Sequence, residues 1–233
     1  DEPVPCGACG AALLDANCVH SSCCAPAERT IGHNAVRDEV LHLARIADST
    51  AESEPQGLLA AAPDLRPADV LTSAAAPTGR SALDVGIASS EAQSAGNDCC
   101  VSMRRRKMDT YAQHLPALAE DDITYVPLIW SHWGREHPST TATLLSMASS
   151  GARRTGHATS AAILHRARAR IGTALADRAA AMALSCACLP GAPERLSCSE
   201  PQTTPIRPGA CFPQASHRYR VDLPFPVASA WRV

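Results

Sequence analysis

A helical period in the apolar residues begins at Glu28 and predicts the first regular element of the chain. Residues that share one face recur there about every 3.6 positions, as they do along an amphipathic helix. These residues are Ile31, Ala35, Val36, Val40, Leu43, Ala44 and Ile46. The polar segment 48–56 ends the predicted helix.

After this helix the apolar residues occur in short runs, and short runs bounded by turn-forming residues predict strands. Residues 57–60 are a candidate short strand. Residues 68–71 and 82–87 predict two more strands, because Pro77 and Gly79 lie in a turn-forming segment between them. We therefore expect a strand, loop, strand unit in this part of the chain.

Helical and strand patterns alternate through the second half of the chain. Residues 102–118 predict a helix, and residues 123–130 predict a buried strand. Residues 139–154 and 158–184 predict two further helices, the first with Ser139 as candidate N-cap. The order of helix, strands, helix and strand predicts an α/β fold.

These patterns divide the chain into four segments. Residues 1–25 are rich in cysteine and turns, and residues 26–135 hold the α/β core. Residues 136–189 form a helical extension. Residues 190–233 are rich in Pro, Ser, Arg and Cys without any period, so we expect a disordered tail.

The composition predicts a core of modest size. Hydrophobic residues make up 45% of the 233 residues, but the chain has only two Phe, three Tyr and three Trp. Much of the hydrophobic share is alanine, which buries little apolar area, so we expect a mostly helical core of low independent stability. The formal charge of −2 excludes a global basic field, so any contact with nucleic acid must come from local patches.

Neither a secretory leader nor a membrane segment is evident in the sequence. The first residue is Asp1 rather than Met, and no charged-then-apolar leader precedes the first cysteine. We therefore expect no signal peptide, and a piece of a longer polyprotein. The longest apolar stretch, residues 179–189, is too short to cross a bilayer, so a soluble intracellular protein without a membrane partner is the default expectation.

Cysteines are concentrated near the start of the chain, which has eleven in all. Two residues separate Cys6 from Cys9, which gives a C-x2-C motif. His20 with a following cysteine supplies a second ligand pair, as in a tetrahedral zinc knuckle. Such a short segment needs the binding energy of a metal to fold. The competing interpretation is a set of unrelated thiols. The sequence leaves open whether Cys23 or Cys24 binds, and whether Cys18 competes.

Two aspartates fall on the two predicted strands. Asp69 follows the residues Arg-Pro-Ala at the first strand, and Asp84 lies in the second, with fourteen residues between them. Two carboxylates on adjacent strands can hold a divalent metal against a phosphodiester. The alternative is that these aspartates only cap turns, and Asp64 is a rival first carboxylate.

Lys107 is the only lysine beside twenty arginines, and it lies on the predicted helix 102–118. A lysine near two metal-binding carboxylates would orient the attacking water and offset the charge of the phosphate. The alternative is a solvated basic helix face. With Arg104, Arg105 and Arg106, Lys107 also forms the best local candidate for a phosphate contact.

Taken in order, these features resemble the C-terminal region of LINE-type non-LTR retrotransposon polyproteins. The features are the Cys/Cys/His/Cys cluster, the dipeptide His33-Asn34 in the first helix, and the Arg-Pro-Ala-Asp segment followed by a second Asp. In the site-specific branch of that family, a CCHC zinc knuckle precedes a restriction-like endonuclease of the PD-(D/E)xK class. The resemblance covers about residues 6–135 and implies a small nuclease core of that class.

The resemblance also implies roles for particular residues. Asp69 and Asp84 would hold Mg²⁺, Lys107 would be the catalytic lysine moved onto the following helix, and Tyr111 would be its neighbour on the same face. Zn²⁺ would be bound by Cys6, Cys9, His20 and Cys24. Contacts to nucleic acid would come from His33, Asn34, Arg104, Arg105 and Arg106.

The sequence departs from the family pattern at three positions, and the spacing from Cys9 to His20 is also longer than usual. Gly32 stands where a basic residue is expected before His33, and Ala68 is inserted between Pro67 and Asp69. Gly86 stands at the lysine position of the D-x-K motif. The lysine role therefore depends on Lys107.

The implied function is a Mg²⁺-dependent DNA endonuclease module. It would nick target DNA so that the reverse transcriptase of the same polyprotein primes on the exposed 3′ end. The implied partners are the DNA target, the element RNA and the reverse transcriptase, and the implied location is the nucleus. The alternatives are a zinc-stabilised nucleic-acid-binding module without catalysis and an inert decayed copy.

Overall fold

The computed structural model describes residues 4–10, 12–14, 19–24, 26–92 and 94–187. Cys18 and the predicted tail, residues 190–233, lie outside them. The elements of the described residues are α1 (Pro26–Ala47), β1 (Glu52–Ser53), β2 (Val70–Thr72), β3 (Arg80–Ala88), α2 (Cys99–Tyr111), α3 (Leu115–Glu120), β4 (Ile123–Ser131), α4 (Pro138–Thr155) and α5 (Ser160–Ala187). Two 3-10 helices lie at His20–Cys23 and Ala112–His114.

The strands form one small mixed sheet in the order β1, β2, β3, β4. β1 and β2 are antiparallel, as are β2 and β3, whereas β3 and β4 are parallel. A parallel pair needs a crossover connection, and α2 with α3 supplies it. The predicted α/β class is confirmed.

Helices cover both faces of the sheet, and strand alternation decides which side chains meet them. Leu83 and Val85 on β3 belong to a large core shared with α1, α4 and α5. Ala82 belongs to a smaller core shared with Leu118 and with side chains of α2. Asp84 alternates onto the second face, between the small residues Ala82 and Gly86, so α2 can approach it closely.

The prediction of a strand at residues 57–60 is wrong. The backbone bends at Gly57, whose φ of 73° is left-handed, and Leu59 is 2% exposed within the smaller core. Because the segment turns around this one buried side chain, its backbone does not run beside a strand with which it could pair. The outer strand is instead the polar Glu52–Ser53, whose pairing with β2 no hydrophobic pattern signals.

The predicted helix 102–118 begins earlier and is broken near its end. Asp98 caps it, because its Oδ1 accepts the N–H groups of Cys100 at 2.8 Å and Val101 at 3.1 Å. α2 ends at Tyr111, and Pro116, which has no N–H to donate, lies in the first turn of α3.

The N-cap of α4 is His137 rather than the predicted Ser139. The Nδ1 atom of His137 accepts the Ser139 N–H at 3.1 Å, and Pro138 is the first helical residue. The strand at 123–130 and the helices at 28–47, 139–154 and 158–184 are otherwise present within a few residues of their expected bounds. Within the part of the chain that the structure describes, no helix has both the length and the apolar character needed to cross a bilayer.

Candidate active site and metal-binding cluster

Two donors from different elements hold the carboxylate of Asp84. Lys107 on α2 places its Nζ 2.5 Å from Asp84 Oδ1, and Tyr125 on β4 donates its hydroxyl to Asp84 Oδ2 at 2.5 Å. The exposed fraction of Asp84 is 8%. The structure therefore brings the predicted carboxylate and the predicted lysine into one largely buried ion pair.

Lys107 reaches Asp84 by passing over Gly86. A Cβ added at position 86 would lie 2.8 Å from Lys107 Cε and 2.8 Å from Ile129 Cδ1. Distances this short are not found between real Cβ atoms and their neighbours, so a side chain at position 86 would push the lysine aside. The glycine at the D-x-K lysine position is thus the space through which the helical lysine approaches the same carboxylate.

Asp69 lies just before β2, with its carboxylate against β3. Its Oδ2 accepts the Val85 N–H at 2.7 Å and lies 3.2 Å from His33 Nε2. His33 Nε2 also lies 3.2 Å from the carbonyl oxygen of Val85. Asn34 accepts a hydrogen bond from Arg37 at 3.4 Å. The histidine of the His-Asn dipeptide therefore contacts a candidate metal ligand.

Asp69 and Asp84 have pKa values shifted in opposite directions. Burial raises the pKa of Asp84 above its ordinary value, although Lys107 and Tyr125 act against that shift. Burial also acts to raise the pKa of Asp69, but the hydrogen bond and charge of His33 outweigh it and the pKa falls. The same hydrogen bond raises the pKa of His33. The charge of Asp69 contributes to the raised pKa of Asp84, so the two carboxylates lie within electrostatic reach.

The two aspartates suit Mg²⁺ by donor type. Mg²⁺ prefers oxygen ligands and is usually held by one or two carboxylates, with waters and substrate phosphates completing the shell. Among the described residues, no group of three Asp, Glu, His or Cys ligand atoms within 4.8 Å of one another includes Asp69 or Asp84. The described side chains therefore offer two carboxylates rather than a full protein cage.

Tyr111 contacts the site indirectly. Its hydroxyl donates to the carbonyl oxygen of Arg66 at 2.9 Å, and its ring lies against Tyr125 with centroids 4.9 Å apart. These contacts tie α2 to the segment that leads into Asp69 and support the tyrosine that holds Asp84. Tyr111, predicted as a catalytic residue, therefore contacts the site through Arg66 and Tyr125.

Position 32 is closed to any side chain by α5. A Cβ at Gly32 would lie 2.2 Å from Arg178 Cδ and 2.3 Å from its Cγ. The basic residue that the resemblance expects before His33 would collide with this arginine. The departure at Gly32 is therefore a consequence of the close packing of α1 against α5.

The Cys/His cluster at the start of the chain is assembled as predicted. The ligand atoms of Cys6, Cys9, His20 and Cys24 all lie within 4.8 Å of one another. Cys6 Sγ and Cys24 Sγ are 3.4 Å apart, as are Cys9 Sγ and His20 Nε2. Cys23 instead donates its thiol to the carbonyl oxygen of His20 at 3.4 Å. The four side chains can bind a metal such as zinc. The sequence left open whether Cys23 or Cys24 belongs to the cluster, and in the structure it is Cys24.

Cys186 lies beside this cluster, although the sequence assigned it no role. The N–H of Gly7 donates to the carbonyl oxygen of Cys186 at 2.8 Å, and Cys6 and Cys186 are each 1% exposed. Burial acts to raise the pKa of Cys6, but hydrogen bonds from the Cys9 backbone and the Cys186 thiol lower it to about 7. The last turn of α5 therefore supports a candidate metal ligand.

The chain matches no family model, no curated protein and no solved structure.

The arginines of α2 differ in their solvent exposure. Arg105 and Arg106 are exposed, whereas Arg104 is half-buried. Arg106 donates to Ser94 Oγ at 2.5 Å, so its guanidinium already has a partner on the preceding segment. The basic surface of the predicted nucleic-acid contact is thus mainly Arg105, with Arg106 beside it.

Sequence reasoning missed Tyr125 as a site residue. The strand that contains it is mostly apolar and buried, and its register opposite Ala82 puts its ring on the same face as Asp84. A polar hydroxyl on a buried strand is the available signal, because such a group needs a hydrogen-bond partner.

A second group of potential ligands, Asp98, Cys99 and Cys100, also lies within 4.8 Å. The Asp98 carboxylate caps α2 and pairs with Arg135 at 2.8 Å, so these ordinary contacts account for it.

Proposed function

We propose that the chain is a DNA endonuclease module that uses Mg²⁺ and belongs to a LINE-type retrotransposon polyprotein. The observation that carries the proposal is the meeting of Lys107 and Asp84 above Gly86, with Asp69 held on the adjacent strand. Removing the Asp84 carboxylate and part of the Lys107 ammonium from water costs free energy that their attraction need not recover, and such pairs with shifted pKa values are concentrated at functional sites. This arrangement supports a PD-(D/E)xK-like core in which the lysine is supplied by the following helix.

Each residue of the site has a distinct task in this proposal. Asp69 and Asp84 would hold Mg²⁺, which supplies activation of water and neutralises charge on the scissile phosphate when bound. Lys107 orients the attacking water or a phosphate oxygen, and it can exchange its carboxylate partner for substrate because an ammonium is a point charge with three donors. Tyr125 keeps Asp84 oriented by its hydrogen bond.

His33 has a supporting task in the same site. Its Nε2 lies 3.2 Å from Asp69 Oδ2, and the Val85 N–H donates to the same oxygen at 2.7 Å. These two contacts hold the carboxylate against β3 and favour its charged form, which is the form that binds a metal.

Contacts with nucleic acid would come from two parts of the chain. The exposed Arg105 and Arg106 offer positive charge to phosphates near the site. The Cys6, Cys9, His20 and Cys24 cluster would bind Zn²⁺ and order the segment before α1. The DNA target, the element RNA and the reverse transcriptase of the same polyprotein are the proposed partners, and the nucleus is the proposed location.

The direct test is plasmid nicking by the purified chain with Mg²⁺. The wild-type chain should convert supercoiled plasmid to open circles, and Asp84→Asn and Asp69→Asn should each reduce the rate at least about a hundredfold, since a metal-binding carboxylate is lost. Asp64→Asn is the matched control, because Asp64 is the rival carboxylate of the same segment. Nicking that persists unchanged in Asp84→Asn overturns the proposal.

The second candidate is a zinc-stabilised nucleic-acid-binding module without catalysis. The assembled Cys/His cluster favours it independently of the aspartates. DNA binding that weakens with salt, together with no nicking and no effect of Asp84→Asn on binding, would select this function.

A further inference from the structure

Donors of the chain occupy both oxygens of Asp84, which is one of the two candidate metal ligands. Lys107 Nζ lies 2.5 Å from Asp84 Oδ1, and the Tyr125 hydroxyl donates to Asp84 Oδ2 at 2.5 Å. The other candidate ligand, Asp69, accepts only the neutral N–H of Val85 at 2.7 Å and the contact of His33 at 3.2 Å. A permanent positive charge therefore lies on one of the two carboxylates and not on the other.

The Lys107 ammonium competes with a divalent cation for Asp84. Two cations that share one carboxylate repel each other, and burial weakens the screening of that repulsion by water. The side chain of Asp84 is 11% exposed and that of Lys107 is 22% exposed, so the pair is largely removed from water. A bound metal ion and the ion pair of Lys107 with Asp84 therefore disfavour each other.

The ion pair is also costly to open unless each partner finds a replacement. A buried charge that loses its partner is strongly destabilised. Lys107 Cε, Ile129 Cδ1 and Met103 Cγ all lie within 3.4 Å of the point that a Cβ at Gly86 would occupy, so the lysine stem is packed against its neighbours. The ammonium at its end needs another anion within reach before it leaves Asp84.

We propose that Lys107 keeps the candidate metal site closed to a divalent cation, and that a phosphate group of the substrate opens the site by offering the ammonium another anion. Asp84 is then free to bind the metal ion. Metal and phosphodiester therefore bind cooperatively, and each strengthens the binding of the other by the same factor. The inference rests on the proposed function for the metal and for the phosphodiester.

The first test measures the affinity for Mn²⁺ without nucleic acid, by electron paramagnetic resonance of the free ion. Mn²⁺ prefers the same oxygen ligands as Mg²⁺, and one equivalent of Zn²⁺ fills the Cys/His cluster beforehand. Lys107→Gln removes the competing charge but keeps a hydrogen-bond donor for Asp84, so it should bind Mn²⁺ roughly tenfold more tightly than wild type. Adding Asp84→Asn to Lys107→Gln should abolish this gain. Arg80→Gln removes an exposed cation from the same strand as Asp84, and this matched control should behave as wild type.

The second test measures the coupling between metal and DNA in the wild-type chain. Ca²⁺, which carboxylates also bind, should strengthen the binding of a short DNA duplex at least about fivefold, as read by fluorescence anisotropy. The gain in affinity should be smaller in Lys107→Gln, in which only the direct attraction between metal and phosphate remains. Because Lys107→Gln also lacks one contact to DNA, the gains caused by Ca²⁺ are compared rather than the affinities.

Three results would overturn the inference. They are an equal Mn²⁺ affinity in wild type and Lys107→Gln, an equal gain from Ca²⁺ in both, and a wild-type affinity for DNA that does not respond to Ca²⁺. The last result decides the question even if Lys107→Gln does not fold. None of the three contradicts plasmid nicking that depends on Asp84, so the proposed function can survive them. Tighter Mn²⁺ binding by Lys107→Gln that requires Asp84, without any nicking by wild type, supports the competition and overturns the proposed catalysis alone.

Discussion

The side chain of Lys107 lies over Gly86, and its amino group ends 2.5 Å from Asp84 Oδ1. Twenty residues lie between the two positions, which belong to different elements, yet each constrains the other. Gly86 has no side chain, and Lys107 uses the space that a side chain there would fill. A carboxylate on β3 thereby acquires a lysine that β3 itself does not carry.

Moving the lysine from α2 to β3 should restore part of the nicking that is lost with Lys107. Lys107→Gly should reduce Mg²⁺-dependent nicking at least about a hundredfold, since the group that stabilises the phosphate charge is lost. Lys107→Gly leaves the space above Gly86 empty, and Gly86→Lys in that background fills it and returns an amino group to Asp84. The double variant should therefore recover a measurable part of the nicking rate. Gly86→Lys in the wild-type background is the control and should nick poorly, because both side chains compete for one space. A double variant no more active than Lys107→Gly would show that the shared space is irrelevant.

Tyr125→Phe should move the acid limb of the pH profile of nicking. The Tyr125 hydroxyl lowers the pKa of Asp84, which burial has already raised, so losing it raises that pKa further. The carboxylate must be ionised to bind metal, so the acid limb should shift to higher pH in the variant. Rates across a pH series measure this. Tyr111→Phe is the control, because the Tyr111 hydroxyl donates to the Arg66 carbonyl oxygen and not to Asp84. This variant should leave the acid limb of the pH profile in place. A shift in Tyr111→Phe alone would contradict the assignment of the acid limb to Asp84.

The His33–Asp69 pair should make the free energy of unfolding depend on pH at both the acid and the alkaline end of the pH range. The pKa of His33 is raised in the fold, so its contribution is complete below its unfolded pKa and is lost as pH rises through the folded value. The pKa of Asp69 is lowered, so its contribution is present above its unfolded pKa and is lost as pH falls through the folded value. His33→Gln should cost about 1 kcal/mol of unfolding free energy between these limits, after allowance for solvent screening.

Urea unfolding of wild type and His33→Gln across pH measures this difference. The two curves should converge at alkaline pH, where His33 is neutral in both states. Asp69→Asn should remove the same pH-dependent part. Parallel curves at every pH would mean that the pair carries no charge interaction.

Cys24→Ala and Cys23→Ala should differ sharply in metal binding. Cys24 lies within the four-ligand cluster, whereas the Cys23 thiol is bonded to the His20 carbonyl. Competition with a chelator should show a loss of zinc affinity of at least about a hundredfold for Cys24→Ala, because one of four ligands is gone. Cys23→Ala should retain the wild-type affinity. Equal losses in both variants would place Cys23 among the ligands.

Cys186→Ala should weaken metal binding without removing a ligand. Residues that orient metal ligands through hydrogen bonds typically contribute about tenfold in affinity, and Cys186 supports Cys6 in this way. Co²⁺ substitution provides the measurement, since the thiolate-to-cobalt absorption per bound metal should stay unchanged while affinity falls. Cys100→Ala, another buried cysteine, should change neither quantity. A reduced absorption per metal would make Cys186 a ligand rather than a support.

Local sequence patterns predicted most of the regular elements because period and capping act over a few residues. The apolar face that begins near Glu28 became α1, and the run at 123–130 became β4. The patterns failed where a contact from a distant element decided the outcome. Leu59 is buried against the α2 and α3 face, so residues 57–60 bend around an anchor instead of pairing as a strand.

The candidate site divides in the same way. The sequence alone determined which residue types were available: two aspartates on adjacent strands, one lysine on the following helix, and a compact set of cysteines with a histidine. Only the tertiary structure decided that Lys107 crosses Gly86 to reach Asp84, that His33 contacts Asp69, and that Cys186 supports Cys6. Spacing along a chain fixes neighbours within one element. Contacts between elements depend on strand register and on how closely helices pack, and no single-sequence pattern records either.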